Sequence, residues 1–331
     1  MAQFENIATS IITGFLGAGK TTAIRYLLQH KPEDEPWAVI VNEFGQVGID
    51  GALLKNDGVE ISEIPGGCLC CVGSQSFSVG LNRIIRQIRP RRILIEPTGL
   101  GHPARLLENL RGEYYRSVLD LKAVICLLDA RQLADPRYTE NTNFIDQIKL
   151  ADILLANKAD TYSDQDRQAF QDFARQCNPP KDRLALLEQG RIPPDWLNLT
   201  GRHSRQADSP HAHEHLHQGT QITESQPRQG WLRIDSYSEH GCSLGWQIEA
   251  ENIFSQQKLH TWIRDSFELP HLQRIKAVLH TDKGWLSVNA TRGEITLESM
   301  GAQQQSKLEL IADGDLPADK LDKSLLELLA R

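Results

Sequence analysis

The sequence lacks any apolar run that is both long and free of charge. The apolar stretch at residues 6–19 is too short to span a bilayer and leads directly into a glycine-rich motif. A secretory signal peptide is not recognisable either. We therefore expect a cytoplasmic protein that has no membrane partner.

An excess of positive charge is also missing. The 331 residues include 36 lysines and arginines against 43 aspartates and glutamates, which gives a formal net charge of −7. Because nucleic-acid-binding domains usually present a basic surface, we expect no nucleic-acid partner. The length is typical of two domains.

Cysteine is scarce and unevenly distributed. Three of the six cysteines are scattered, whereas Cys68, Cys70 and Cys71 fall within four positions. Such crowding indicates metal or redox chemistry and argues against a disulfide framework.

What the chain does contain is a complete phosphate-binding motif. Residues 14–21, Gly-Phe-Leu-Gly-Ala-Gly-Lys-Thr, match G-x-x-x-x-G-K-[ST] between an apolar strand and a helical pattern. The glycines let backbone N–H groups converge on an anion, Lys20 reaches the β- and γ-phosphates, and the Thr21 hydroxyl ligates Mg²⁺. The predicted phosphate-binding residues are Gly14, Gly17, Ala18, Gly19, Lys20, Thr21 and Thr22.

Apolar strands alternate with helical patterns up to about residue 175, which predicts an α/β fold with a doubly wound, mostly parallel sheet of the P-loop NTPase type. The predicted strands are Ala8–Thr13, Trp37–Asn42, Arg92–Glu96, Ala123–Asp129 and Ile153–Asn157, and the helices Lys20–Leu28, Ser76–Ile88, Pro103–Leu110, Tyr138–Leu150 and Asp164–Cys177.

The pattern weakens after residue 179 and resumes at Trp231. We predict a P-loop GTPase domain over residues 1–200, a His-rich linker over 201–229, and a smaller α+β domain over 230–331, closed by a helix over Asp322–Leu329.

A base-recognition pattern, Asn157-Lys158-Ala159-Asp160, follows the last apolar strand of the first domain. A carboxylate at Asp160 accepts hydrogen bonds from N1–H and the N2 amino group of guanine, whereas adenine offers no such donor pair. The pattern also occurs in ordinary turns. Its position after a phosphate-binding loop predicts that Asn157, Lys158 and Asp160 select GTP over ATP.

A second metal-binding pattern is the strand that ends at Glu96, which we predict holds Mg²⁺ as a Walker-B acid does. We also predict that the backbone N–H of Gly99 senses the γ-phosphate. Lys20, Thr21 and Glu96 are the predicted catalytic residues, and the residue that orients the attacking water is unassigned. The alternative for Glu96 is a buried strand end with a satisfied carboxylate.

Three thiolates at Cys68, Cys70 and Cys71 suit Zn²⁺ or Cu(I), with Glu43, His102 or water as a fourth ligand. Buried structural thiols and a redox pair are the alternatives.

Residues 42–50, with two carboxylates and two glycines, suit a switch loop near the γ-phosphate or an ordinary surface loop.

Four alternate histidines form a further candidate metal site in the linker, or else a solvated polar segment. They are His211, His213, His215 and His217.

Taken together and in this order, these motifs resemble those of the CobW-type GTPases, a P-loop family of metal chaperones. The resemblance implies hydrolysis of GTP to GDP and phosphate with Mg²⁺, stimulation by metal, and Zn²⁺ binding at Cys68, Cys70 and Cys71. It also implies transfer of the metal to a client metalloprotein. Glu43 matches a carboxylate that faces the metal in relatives, whereas Gln46 stands where many relatives have Glu.

Other functions remain open at this point. A cobalt or nickel insertion GTPase would differ only in cargo, because the same ligands accept all three ions. A slow-turnover zinc buffer and an ATPase are further alternatives, and a homo-oligomer is also possible.

Overall fold

The computed structural model describes residues 5–41, 59–63, 74–97, 103–202, 221–224, 230–238 and 241–330. They belong to two compact units, one made of the described residues up to 202 and one of those from 221 onward. Within these ranges no helix has the length and apolar character needed to cross a membrane.

The described part of the first unit contains an eight-stranded sheet in which every pairing is parallel. The strands are β1 (Ile7–Gly14), β2 (Trp37–Val41), β3 (Val59–Glu63), β4 (Arg92–Glu96), β5 (Leu119–Leu121), β6 (Ile125–Leu128), β7 (Ile153–Ala156) and β8 (Arg183–Leu186). Their order is β3-β2-β4-β1-β6-β7-β8, and the short β5 also pairs with β1. The predicted doubly wound α/β fold is confirmed.

Helices connect these strands. They are α1 (Lys20–Gln29), α2 (Ser74–Ile88), α3 (Pro103–Arg111), α4 (Glu113–Arg116), α5 (Pro136–Thr139), α6 (Thr142–Leu150) and α7 (Asp164–Gln176). Short 3₁₀ turns follow β6, β7 and β8, at Ala130–Ala134, Ala159–Thr161 and Pro194–Asn198.

Burial on both faces explains the continuous apolar runs of the central strands. Every residue of β2, β4, β6 and β7 is buried, because helices cover a parallel sheet on both sides. The strand β1 lies between β4 and β6. The strands that follow β1 in sequence, β2 to β4, lie on one side of it, whereas β6 to β8 lie on the other side. Ligands of such sheets bind at this reversal, so the loop after β1 occupies the expected position.

The prediction of one helix over Tyr138–Leu150 is wrong. The chain forms α5 and α6 with a break at Asn141, whose side chain accepts hydrogen bonds from the backbone N–H groups of Asn143 and Phe144. This cap starts a new helix because it satisfies two donors of its first turn.

The predicted strand Ala123–Asp129 is also too long, since β6 spans only Ile125–Leu128.

Among its described residues, the second unit contains a seven-stranded antiparallel sheet and two helices. The strands are β9 (Gln221–Glu224), β10 (Trp231–Ser238), β11 (Gly241–Glu249), β12 (Leu272–Thr281), β13 (Gly284–Thr291), β14 (Glu294–Ser299) and β15 (Gln305–Ala312), in the order β14-β13-β12-β15-β11-β10-β9. The helices are α8 (Gln256–Ser266) and α9 (Ala318–Leu326). The predicted α+β class is confirmed.

The core of this unit lies between one sheet face and the two helices. One buried apolar cluster contains residues of both strands and both helices: Trp246 on β11, Leu310 on β15, Ile263 on α8 and Leu325 on α9.

The predicted helix Asp322–Leu329 is displaced, because α9 begins directly after Pro317 and ends at Leu326. Proline suits this place, since the first backbone N–H groups of a helix have no partner within it.

Two adjacent leucines test the orientation of α9. The Leu325 side chain is 0% exposed, whereas that of Leu326 is 44% exposed. We expect Leu325→Ala to lower the free energy of unfolding by about 2–5 kcal/mol, because it leaves a cavity in the core. Leu326→Ala should cost less than about 1 kcal/mol, as exposed substitutions do. Urea unfolding followed by circular dichroism measures both, and similar losses would contradict this orientation.

Candidate nucleotide-binding site

The loop between β1 and α1 has the backbone conformation that its glycines permit. Gly14, Gly17 and Gly19 have φ angles of 141°, 76° and 92°, a region that disfavours other residues. A Cβ on Gly14 would lie 2.2 Å from the Leu127 carbonyl oxygen, and one on Gly19 would lie 2.3 Å from Asn157 Nδ2. The loop therefore passes closely between β6 and the turn after β7, and it opens onto the N-terminus of α1, where backbone N–H groups favour an anion.

Lys20 lies at the start of α1 with only 5% of its surface exposed. Its ammonium donates to the Gly14 carbonyl at 2.8 Å and to the Phe15 carbonyl at 3.3 Å. These two bonds hold the charge across the loop, which is where a bound di- or triphosphate needs a cation.

Thr21 and Glu96 form the oxygen pair expected of a Mg²⁺ site. The Thr21 hydroxyl donates to Glu96 Oε1 at 3.1 Å and is 3.4 Å from Oε2. Glu96 is the last residue of β4 and is only 4% exposed. A hydroxyl and a carboxylate beside a phosphate loop are hard oxygen ligands, so these residues fit the ion.

Asn157, at the end of β7, connects the predicted base-recognition turn to two other segments. Its Nδ2 donates to the Ala18 carbonyl at 3.0 Å, and its Oδ1 accepts from the Gly190 N–H at 2.9 Å. Direct contact of Asn157 with guanine stays a prediction. The structure shows its amide joining the phosphate loop, the turn after β7 and the turn after β8.

The two charged members of this turn differ in their surroundings. Lys158 has a left-handed backbone, with a φ of 69°, and its Nζ lies 3.8 Å from the Asp129 carboxylate. Asp160 is exposed, within the 3₁₀ turn Ala159–Thr161. Its carboxylate is therefore open to an approaching base.

Three residues that the sequence motifs did not single out lie at this edge of the sheet. Gly190 follows β8 with a φ of 69°, and a Cβ there would lie 2.7 Å from the backbone of Ala23 in α1. Asp129 follows β6, and the Tyr162 hydroxyl contacts the turns after both β6 and β7. The sequence could have indicated Asp129, because this carboxylate directly follows an apolar run, in a position similar to that of Glu96.

The predicted zinc ligands and several other predicted site residues lie outside the described residues. They are Glu43, Cys68, Cys70, Cys71, Gly99, His102, His211, His213, His215 and His217. In the described ranges, no group of three or more His, Cys, Asp and Glu side chains is close enough to hold a metal ion.

Two of the scattered cysteines are unsuited to metal binding. Burial raises the pKa of the Cys126 thiol to about 12 and that of the Cys242 thiol to about 11. Because metals bind the thiolate, these two side chains are poor ligands near neutral pH.

Comparison with known proteins adds family information to this geometry. Residues 8–184 match the family model described as CobW/HypB/UreG, nucleotide-binding domain. Residues 244–329 match the model described as cobalamin synthesis protein cobW C-terminal domain.

Among curated relatives, the chain is 39% identical over 324 residues to the zinc chaperone YeiR of Escherichia coli K12, covering 97% of both chains. It is 34% identical over 191 residues to the zinc chaperone CobW of Pseudomonas aeruginosa, covering 48% of this chain and 51% of that protein. The Zn(II)-bound YjiA GTPase of E. coli is 20% identical and covers 98% and 99% of the two chains, with a TM-score of 0.41, too low to carry an inference.

The amide of Asn157 provides a stability test of the site. Asn157→Asp places an oxygen where Nδ2 donates to the Ala18 carbonyl, so a buried acceptor would face another acceptor. We expect the free energy of unfolding at pH 7 to fall by about 2–4 kcal/mol. Urea unfolding measures this loss.

Asn198→Asp is the control for the same substitution at an exposed position, because Asn198 Oδ1 accepts from Arg92 Nη2 at 2.5 Å and a carboxylate keeps that role. Its stability should be unchanged or higher. A loss in Asn157→Asp that is no larger than the change in Asn198→Asp would contradict a stabilising role for the Asn157 contact.

Proposed function

This chain belongs to the CobW/HypB/UreG family, and from that premise we propose that it is a GTPase that binds Zn²⁺ and transfers it to a client metalloprotein. The observation that carries the proposal is the placement of Lys20, Thr21 and Glu96 around one phosphate loop. The similarity to a zinc chaperone over 97% of the chain supports the choice of cargo.

The proposed reaction hydrolyses GTP to GDP and phosphate. Mg²⁺ held by Thr21 and Glu96 would neutralise charge on the transferring phosphoryl group. Lys20, whose ammonium is held by the carbonyls of Gly14 and Phe15, and the N-terminus of α1 would stabilise the same charge.

Base selection is assigned to the turn after β7. The exposed Asp160 carboxylate accepts from N1–H and N2 of guanine, and adenine leaves it unpaired. Asn157 supports this turn from the phosphate loop, and Lys158 and Gly99 complete the proposed nucleotide contacts.

The cargo is assigned to Cys68, Cys70 and Cys71, with Glu43 as a further ligand, and the histidines from 211 to 217 provide weaker capture. We propose that hydrolysis changes the metal affinity of this site and so releases the ion to the client. The division into residues 1–200, 201–229 and 230–331, and a cytoplasmic location, are part of the same proposal.

Zinc dependence of turnover tests the whole proposal. Zn²⁺ titrated into the protein with GTP and Mg²⁺ should increase phosphate release, and Cys70→Ala should lose this increase. Cys177→Ala is the matched control, because Cys177 lies at the end of α7, away from the three clustered cysteines in sequence, and should respond as wild type. Tighter binding of Co²⁺ or Ni²⁺ in parallel titrations would reassign the cargo.

Coupling between nucleotide and metal is tested by zinc affinity in the two nucleotide states. We expect the dissociation constant for Zn²⁺ to differ at least about fivefold between a nonhydrolysable GTP analogue and GDP, the lower end of usual coupling between sites. Isothermal titration calorimetry measures both values. Equal affinities would exclude release driven by hydrolysis.

Lys20→Ala separates an enzyme from a zinc buffer. We expect phosphate release to fall at least about 100-fold, because a preorganised charge is lost, while zinc bound per chain stays the same. Lys31→Ala is the control, since Lys31 lies two residues after the end of α1 and its ammonium donates to the carbonyls of the exposed residues Pro32 and Glu35. If wild type and Lys20→Ala release phosphate equally slowly, the protein is a buffer.

A further inference from the structure

Tyr162 joins two turns at the carboxyl edge of the first sheet. Its hydroxyl accepts from the Ala130 N–H, after β6, at 2.8 Å and donates to the Asn157 carbonyl, at the end of β7. The side chain is only 9% exposed, and burial raises the pKa of the hydroxyl, so it remains a donor. No nucleotide-binding motif includes this residue.

The carbonyl that Tyr162 holds belongs to a residue whose side chain is already engaged. Asn157 uses its amide nitrogen for Ala18 and its amide oxygen for Gly190. With the hydroxyl of Tyr162 on its carbonyl, Asn157 is fixed from three directions. Its peptide plane therefore sets where the next residues of the turn begin.

The next residue is strained. Lys158 has a φ of 69°, in a region that costs free energy for any residue other than glycine. Such a conformation persists only where the surrounding structure holds it. Two contacts hold it. The Tyr162 hydroxyl donates to the carbonyl of the preceding residue, Asn157, and Lys158 Nζ lies 3.8 Å from the Asp129 carboxylate.

Both contacts involve the turn after β6, because Tyr162 also accepts from Ala130 and Lys158 faces Asp129. Asp129 is buried, and its carboxylate is held by Arg131 through bonds of 2.9 Å to Nε and 2.5 Å to Nη2. The Ala130 N–H that donates to Tyr162 lies between these two residues. The turn Asp129–Arg131 thus contacts the predicted base-recognition turn twice, through the Ala130 N–H bond to Tyr162 and through the Asp129 carboxylate beside Lys158.

We propose that Tyr162 is a positioning residue for guanine selection, holding the backbone of Asn157 and Lys158 so that Asp160 meets the N1–H and N2 groups of the base. This inference rests on the proposed function, because it assumes that the site binds guanine nucleotides. Tyr162 acts through the turn and contributes no group to the base.

The test uses the full chain and three nucleotides: GDP, IDP and ADP. IDP lacks the N2 amino group, so the ratio of IDP to GDP dissociation constants reports how well Asp160 is placed. In Tyr162→Phe we expect GDP affinity to fall about tenfold, the usual size for a lost buried hydrogen-bond arrangement. IDP affinity should fall much less, so the ratio shrinks. Fluorescence competition titration measures all three constants.

Tyr115→Phe is the matched control. Tyr115 is also buried in the first unit, and its hydroxyl donates to the Ser78 carbonyl at 3.5 Å. This variant should keep the wild-type ratio. Urea unfolding of both variants shows whether a general loss of stability explains a change in binding.

Three results of these titrations on wild type and Tyr162→Phe would overturn the proposal. An unchanged affinity, or an equal loss for GDP and IDP in Tyr162→Phe, would contradict a positioning role. A wild-type protein that binds ADP as tightly as GDP would instead contradict guanine binding in the proposed function, and this inference would fall with it.

If Tyr162→Phe does not fold, Asp129→Asn tests the same proposal through the second contact, the one between Lys158 and the Asp129 carboxylate. It removes the negative charge that faces both Arg131 and Lys158, and it should also shrink the ratio of IDP to GDP dissociation constants. An unchanged ratio in Asp129→Asn would overturn the proposal.

Discussion

The hydrogen bond from the Asn157 amide to the Ala18 carbonyl is the contact on which the proposed site depends. It joins two loops that are 139 residues apart in sequence at 3.0 Å. Gly19 makes the approach possible, because any Cβ there would collide with the same amide. One buried polar contact thereby holds the predicted phosphate loop against the predicted base-recognition turn, and its loss would leave a carbonyl and an amide N–H without partners.

The parallel sheet explains why this contact forms at all. β1, β4, β6, β7 and β8 run in the same direction, so the loops that follow them meet at one edge. The strands are buried on both faces and hold these loops rigidly. Thr21 and Glu96 face each other because β1 and β4 are neighbours, and the turns after β6, β7 and β8 contact one another for the same reason.

Sequence patterns predicted the strongly apolar strands and the strongly amphipathic helices of both units. They failed where short polar side chains or tertiary pairing decide. Asn141 caps the start of a new helix within a segment that hydrophobic periodicity alone predicts as one helix. The strand β5 is only three residues long and pairs with the first residues of β1. Within the site, motifs marked Thr21 and Glu96, which are joined by a hydrogen bond, whereas Gly190 and Tyr162 had no local motif to mark them.

The sequence by itself determined the phosphate loop, the alternation of strands and helices, and the family, because these depend on residue type at short spacing. Only the tertiary structure decided that the Asn157 side chain joins three loops and that Lys158 has a left-handed backbone beside Asp129. It also decided that the Tyr162 hydroxyl bonds the predicted base-recognition turn. These are contacts between side chains and distant backbone groups, and no spacing along the chain encodes which backbone group a strand order brings within reach.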